Sequence, residues 1–168
     1  MAEVLLETRG LSKFFKTAGG LLHAVEDVDL ALGAGRTLGV VGESGCGKST
    51  LGRTVLRLEK PSAGQVLFRG EDISALGRRQ LRSARRDMQM VFQDPYSSLD
   101  PRMTVFDLVA EPLREICRGL PRAQARERVL DTMELCGLPA EYADSYPHEL
   151  DGGRRQRIGI ARALALNP

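Results

Sequence analysis

Gly42-Glu-Ser-Gly-Cys-Gly-Lys-Ser-Thr50 fits the phosphate-binding loop pattern G-x-x-x-x-G-K-[ST] at every required position. Residues 37–41 before the loop predict a short buried strand, and residues 49–58 after it predict a helix. A strand, a glycine-rich turn and a helix in this order direct backbone N–H groups toward an anion at a helix N-terminus. The stretch therefore predicts an α/β fold with a nucleotide phosphate site.

Each residue type in this loop has an expected role in nucleotide binding. The glycines allow the tight turn, and Lys48 would reach the β- and γ-phosphates of ATP. The Ser49 hydroxyl would complete the coordination of a Mg²⁺ ion, and Thr50 would hold a phosphate nearer the base. The predicted nucleotide-binding residues of the loop are Gly42, Ser44, Gly45, Cys46, Gly47, Lys48, Ser49 and Thr50.

Composition limits the class of protein. The 168 residues are 42% hydrophobic and 27% charged, which suits one soluble domain or most of a larger one. The net charge of +2 is too small to indicate nucleic acid binding. The one dense arginine cluster, at residues 78–86, has no interleaved aromatic residue for base stacking, so it predicts a solvated helix face.

The cysteines and the apolar runs of the sequence indicate the cellular compartment of the protein. Cys46, Cys117 and Cys136 are an odd number without C-x-x-C spacing, so neither a disulfide framework nor a zinc site is predicted. No apolar run approaches the roughly 18 residues of a membrane span. The expectation is a reduced, cytosolic chain that is neither exported nor membrane-spanning and would meet a membrane only through a partner.

The segments around the loop predict a β-rich part followed by a helical part. Strands are expected at residues 4–8, 27–32, 65–69 and 88–92, a short helical piece at 70–76 and a helix at 80–86. Residues 93–101 contain two prolines and several turn residues, which predict a long polar loop. Of the two aromatics near the Gly19-Gly20 turn, Phe15 is the candidate for stacking on adenine, although a strand aromatic is also an ordinary core residue.

Helix boundaries in the second half follow from capping residues. Thr104 predicts an N-cap, and Pro112 should kink or divide the helix that follows. Pro121 should open the next helix and Gly137 should end it. Asp151 is the predicted N-cap of a last helix that includes the apolar residues 158–166. The glycines at the start of this helix could offer N–H groups to an anion, but such a helix start alone is a weak signal of anion binding.

Three motifs together resemble the ATP-binding cassette (ABC) ATPases: the loop at 42–50, Phe92-Gln-Asp-Pro95 and Leu150-Asp-Gly-Gly-Arg154. Phe92-Gln-Asp-Pro-Tyr-Ser-Ser-Leu-Asp-Pro101 and Tyr146-Pro-His-Glu-Leu150 resemble the subfamily that serves bacterial dipeptide, oligopeptide and nickel importers. The resemblance implies a P-loop NTPase core with an antiparallel β-subdomain and a helical subdomain. The implied divisions are about 1–92 for the β-lobe and loop core, 93–157 for the helical lobe, and 158–168 for the signature helix.

The resemblance also implies roles and partners. Lys48 and Gln93 would be catalytic, Gln93 would contact magnesium and the attacking water, and Phe15 would stack on adenine. Asp151, Gly152 and Gly153 would contact ATP bound to a second ATPase subunit in a head-to-tail dimer. The implied protein binds ATP and Mg²⁺, joins integral membrane permease subunits at the cytoplasmic face of the inner membrane, and couples ATP hydrolysis to transport.

Two departures from the family pattern keep other interpretations open. Asp151 and Arg154 replace the serine and glutamine of the family's Leu-Ser-Gly-Gly-Gln signature, and a carboxylate is a poor phosphate ligand. The sequence also stops before the strand that carries the family's Asp-Glu pair, which predicts a chain truncated before that strand. The alternative is therefore a nucleotide-binding module without turnover. The Gln93 loop and the Gly152-Gly153 turn argue against a third class, another phosphate-loop enzyme such as a kinase or GTPase.

Overall fold

The computed structural model describes residues 3–94 and 98–168, so residues 95–97 of the predicted polar loop lie outside the described residues. The chain divides into two compact units, Met1–Ala84 and Arg85–Pro168. The first unit is built on an antiparallel sheet and the second on helices, which agrees with the predicted α/β class with an antiparallel sheet and a helical part.

The sheet of the first unit has the order β2-β1-β3-β4, and all its neighbouring strands are antiparallel. A long hairpin joins β1 (Val4–Thr17) to β2 (Gly20–Gly33), with the chain reversing at the predicted glycine pair. β3 (Ala63–Phe68) pairs with β1, and β4 (Glu71–Asp72) pairs with β3. The buried apolar side chains of this unit are Leu11, Val25, Val55, Val66 and Ile73.

The prediction of a helical piece at residues 70–76 is wrong, because the chain forms the β3–β4 hairpin there. Arg69 and Gly70 have φ angles of 51° and 80°, so two successive residues occupy the left-handed region. Two such residues make the turn that matches the twist of paired strands, and Phe68 consequently pairs with Glu71.

The strands predicted at residues 37–41 and 88–92 are not formed. Leu38 and Val40 are about half exposed, and Val41 is 95% exposed. In the second segment Met88 is buried, but Val91 and Phe92 are exposed. An apolar run becomes a buried strand only when a neighbouring strand bonds to its backbone, and no strand within residues 3–94 and 98–168 pairs with either segment.

The helix after the phosphate-binding loop, α1 (Lys48–Val55), begins one residue earlier and ends three residues earlier than predicted. Arg57 ends this region with a φ of 54°, and its buried guanidinium Nε donates to the Ile73 carbonyl oxygen at 2.9 Å. α2 (Arg78–Asp87) contains the predicted helix at 80–86 and has no buried residue. Arg78, Arg79 and Arg86 are exposed, whereas Arg82 and Arg85 are half-buried.

Among its described residues, the second unit packs three long helices: α3 (Val105–Ile116), α4 (Arg122–Leu135) and α5 (Gly152–Leu164). Short 3-10 turns occupy Ala140–Tyr142 and Pro147–Glu149. Their core is a continuous apolar cluster that includes Val105, Leu108, Leu113, Val129, Met133, Leu138, Ile158 and Ala161.

Capping decides where these helices begin and end. The Thr104 side-chain oxygen accepts the Asp107 N–H at 3.2 Å, which confirms the predicted N-cap of α3. Pro112 lies inside α3 without dividing it. Pro121 is the N-cap residue of α4, and Gly137, with a φ of 68°, follows the end of α4 as predicted. None of the described helices combines the length and apolar character that a membrane span requires.

Candidate nucleotide-binding site

The phosphate-binding loop is a compact turn that leads into an uncapped helix. The Cys46 N–H donates to the Glu43 carbonyl oxygen at 3.3 Å, and Gly45 has a φ of 81°. Gly47 is the N-cap residue of α1, and no side chain caps the helix there. The first N–H groups of α1 are therefore not taken by a capping side chain, which is the condition for anion binding at a helix start.

Gly47 also allows the loop to approach the β1–β2 hairpin closely. Its φ of 95° lies in the left-handed region, and a Cβ at this position would come within 2.1 Å of the Ala24 carbonyl oxygen in β2. Only a residue without a side chain permits both this conformation and this contact. The required glycine of the motif therefore has a packing reason as well as a conformational one.

Lys48 extends along the loop. Its Nζ donates to the carbonyl oxygens of Gly42 at 2.8 Å and Glu43 at 2.5 Å, and it lies 3.6 Å from Cys46 Sγ. Within the described parts of the chain Lys48 forms no ion pair, so its charge is balanced only by neutral acceptors. An ammonium ion held in this way is positioned to bind an incoming phosphate without first leaving a carboxylate.

The loop borders a concavity of about 320 Å³ on the side of β2. Its lining includes His23, Val25 and Glu26 from the hairpin, together with Cys46, Gly47 and Lys48 from the loop. The sequence gives no signal for His23 or Ala24 at this place, because only the register of the β1–β2 hairpin brings them to the loop.

Phe15, the predicted adenine-stacking residue, is half-buried in β1 and pairs with Leu22. The Lys13 ammonium lies 4.7 Å from the centre of its ring. The neighbouring Phe14 ring lies 4.3 Å from the ring of His23, which itself lines the concavity. Stacking of adenine on Phe15 stays a prediction.

The loop residues fit a nucleotide phosphate with its metal ion. Ser49 is exposed in the first turn of α1, and its hydroxyl makes no hydrogen bond within the residues that the structure describes. Together with Lys48 and the uncapped helix start, this free hydroxyl provides the donor and metal ligand that the motif requires. Gln93, the other predicted metal contact, is an exposed residue of the second unit.

The N-terminus of α5 is built differently. The Asp151 carboxylate accepts the Arg154 N–H at 2.8 Å, which confirms the predicted N-cap. The Arg154 guanidinium then donates to the other carboxylate oxygen at 2.6 Å and lies 4.9 Å from the centre of the Tyr142 ring. Of the two possibilities for Arg154, neutralising Asp151 or binding a phosphate, the structure therefore contains the first. Gly152 and Gly153 are exposed beside this pair.

The hydrogen bond from the Arg154 N–H is the main cause that holds the pKa of Asp151 below its ordinary value, and the nearby guanidinium charge acts in the same direction.

Two further arginines link α5 to neighbouring turns by hydrogen bonds. Arg155 donates to the Pro147 carbonyl oxygen at 2.6 Å, and Arg157 donates to the Gly137 carbonyl oxygen at 2.8 Å.

The sequence profile of the ABC transporter family matches residues 25–168. The chain belongs to the ABC transporter family. It is 49% identical over its whole length to the oligopeptide transport ATP-binding protein OppF of Bacillus subtilis, of which it covers 55%. It is 50% identical, over 99% of its length, to the glutathione import ATP-binding protein GsiA of Escherichia coli K12, of which it covers 28%.

Solved ABC cassettes share its fold. The dimeric structure of MJ0796, a bacterial ABC transporter cassette, aligns with 98% of this chain at a TM-score of 0.89 and 32% identity, and 71% of that cassette is covered. A dimeric post-hydrolysis state of MJ0796 bound to ADP and phosphate aligns at a TM-score of 0.88. These matches confirm the resemblance and the fold class. The chain spans about half the length, or less, of the importer proteins named above.

Proposed function

We propose that this chain is the ATP-binding part of a bacterial importer of peptide-like solutes. The names of the relatives support the solute class, and nickel stays the other solute that the subfamily resemblance implies. The observation that carries ATP binding is the pairing of an uncapped α1 with a Lys48 ammonium held by neutral acceptors, two carbonyl oxygens and the Cys46 sulfur. Both features place positive potential where phosphates would enter.

In this proposal the α1 N–H groups bind and orient the phosphates, and Lys48 moves its hydrogen bonds from the loop carbonyls to the β- and γ-phosphates. A bound Mg²⁺ would neutralise phosphate charge, with Ser49 as its protein ligand. Gln93 would orient the attacking water, and Phe15 would hold the adenine. Two such chains would close head to tail and join permease subunits at the cytoplasmic face of the inner membrane.

Calorimetric titration of the chain with ATP and Mg²⁺ tests the binding proposal. Lys48→Ala should raise the Kd for ATP about 100-fold or more, because hydrogen bonds from a charged donor to phosphate are lost. Lys60→Ala, which removes an exposed lysine that does not line the concavity, is the matched control and should leave the Kd unchanged. Equal affinities for the Lys48→Ala variant and the unmodified chain would exclude this loop as the ATP site.

A second candidate function is ATP binding without turnover. Asp151 favours it, because a carboxylate in place of the signature serine is a poor phosphate ligand, and the Arg154 guanidinium that neutralises this carboxylate is engaged by it instead of a phosphate. The expected result is ATP binding with negligible phosphate release. Steady phosphate release by the chain that is lost on Lys48→Ala would contradict this candidate.

The double variant Asp151→Ser with Arg154→Gln restores the family signature and tests whether the ion pair is the obstacle. ATP-dependent dimerisation, measured by light scattering, should increase in this variant relative to the unmodified chain. No increase in dimerisation would show that the ion pair does not limit assembly.

A further inference from the structure

Lys13 is a largely buried lysine beside the ring of Phe15, the residue that the proposed function assigns to adenine. The Lys13 side chain is only 13% exposed, and its Nζ lies 4.7 Å from the centre of the Phe15 ring. The two residues are two apart in β1, so their side chains point to the same face of the hairpin. A lysine is seldom buried to this degree unless its ammonium group has partners.

Two acceptors hold the Lys13 ammonium group in addition to the ring. Its Nζ donates to the Lys60 carbonyl oxygen at 2.9 Å and lies 3.4 Å from the Glu59 carboxylate. The ammonium group cannot leave the Phe15 ring without losing a hydrogen bond and an ion pair, and losing partners in a partly buried place is unfavourable. Lys13 is therefore held against the ring by groups from another part of the unit.

The acceptors of Lys13 belong to the segment that follows α1, the helix that begins in the phosphate-binding loop. The Glu59 N–H donates to the Arg53 carbonyl oxygen in α1 at 3.1 Å. A continuous series of contacts thus runs from α1 through this segment to Lys13 and on to the Phe15 ring. Lys13 therefore links the position of this ring to the helix at the phosphate site.

We propose that Lys13 is a positioning residue for nucleotide binding, which supports the Phe15 ring from one face while adenine stacks on the opposite face. The inference rests on the proposed function, because it requires that Phe15 holds the adenine. A cation is attracted to the face of an aromatic ring, and this attraction orients the ring. A ring that is already oriented loses less conformational freedom when the nucleotide binds. Lys13 should therefore raise the affinity for ATP without contacting the nucleotide.

In a competing arrangement, Lys13 occupies the ring face that adenine needs. The ammonium group would then have to leave the ring before ATP binds, and removing it would tighten binding. The hydrogen bond to the Lys60 carbonyl oxygen and the ion pair with Glu59 favour the supporting arrangement, because both keep the ammonium group in place. The direction in which the Kd for ATP changes distinguishes the two arrangements.

Calorimetric titrations of the full chain with ATP and with tripolyphosphate, which has no base, test the role of Lys13 in the presence of Mg²⁺. Lys13→Met removes the charge and keeps a side chain of similar length. We expect this variant to raise the Kd for ATP about fivefold and to change the Kd for tripolyphosphate less than twofold. An unchanged or lower Kd for ATP would overturn the inference. An equal loss for both ligands would also overturn it, because it would indicate a general structural role.

Lys60→Met is the matched control. It removes an exposed lysine side chain from the same segment but keeps the backbone carbonyl group that binds Lys13. Both Kd values should change less than twofold in this control. A fivefold rise in the Kd for ATP in Lys60→Met as well would show that any lost positive charge weakens binding, and it would overturn the specific role of Lys13.

A double-mutant cycle separates this inference from the proposed function. Phe15→Ala alone should raise the Kd for ATP, and Lys13→Met should then have no further effect, because the ring through which Lys13 acts is gone. An effect of Lys13→Met that persists without the ring would overturn the inference, and so would an unchanged Kd in Phe15→Ala, with the phosphate site left intact. Absence of ATP binding by the unmodified chain would overturn the proposed function and this inference with it.

Discussion

The chain has two glycine-bearing helix starts, and they differ in what satisfies their N–H groups. The start of α1 at Gly47 has no side-chain cap, and the nearby cation, Lys48, is held by neutral carbonyl oxygens. The start of α5 is capped by Asp151, and the nearby cation, Arg154, is held by the same carboxylate. A carboxylate at a helix start repels a phosphate and engages N–H groups that could bind it, so we infer that α1 is the open site and α5 is the closed one.

The largest effect on this comparison should come from Gly47→Ala. A Cβ at this residue would meet the Ala24 carbonyl oxygen and force a side chain into the left-handed region. We expect a loss of about 2–4 kcal/mol in the free energy of unfolding. Chemical denaturation followed by circular dichroism measures it.

Gly52→Ala in the same helix is the matched control. No atom lies within 4 Å of a Cβ at Gly52, and alanine is the better helix former. This variant should therefore gain up to about 1 kcal/mol in the free energy of unfolding. Equal free energies for the two variants would contradict the packing role assigned to Gly47.

Alkylation of Cys46 should be the next largest effect, because the exposed thiol lies inside the open site, 3.6 Å from Lys48 Nζ. N-ethylmaleimide should block ATP binding by its bulk. ATP at ten times its Kd should slow the alkylation of Cys46 about tenfold, since only unbound protein reacts. The rates at Cys117 and Cys136 serve as internal controls, and equal rates at Cys46 with and without ATP would contradict this placement.

The smallest effect should come from neutralising the closed site with Asp151→Asn, which keeps a good N-cap residue but removes the charge. The pKa of Asp151 is lowered in the folded chain, chiefly by the Arg154 N–H, so its ionisation stabilises the fold above the ordinary carboxyl pKa near 3.9. The stability advantage over Asp151→Asn should be present at pH 7 and decline as the pH falls below about 4. Denaturation curves that differ equally at pH 7 and pH 2 would contradict the role of the charge.

Local features could be read from the sequence. The spacing of the phosphate-binding motif predicts the position of α1 within three residues, and Thr104 and Asp151 act as the predicted N-caps. Such features depend on residues within one turn of each other, so the local sequence contains the information that decides them.

Features that depend on residues distant in the sequence could not be predicted from the sequence. The apolar residues 37–41 predict a buried strand, yet Val41 is 95% exposed because burial requires a neighbouring strand. The contact of Gly47 with Ala24 follows from hairpin register, which no short pattern encodes. The Arg154–Tyr142 contact likewise depends on how α5 packs against a turn ten residues upstream.

Amide chemical shifts measured during an ATP titration test the difference between the two helix starts most directly. We expect large shifts for the backbone amides of Gly45, Gly47 and Ser49 and negligible shifts for those of Gly152, Gly153 and Arg154 under conditions where the chain is monomeric. Shifts at residues 152–154 that match or exceed those at residues 45–49 would contradict the assignment of α1 as the open site and α5 as the closed one.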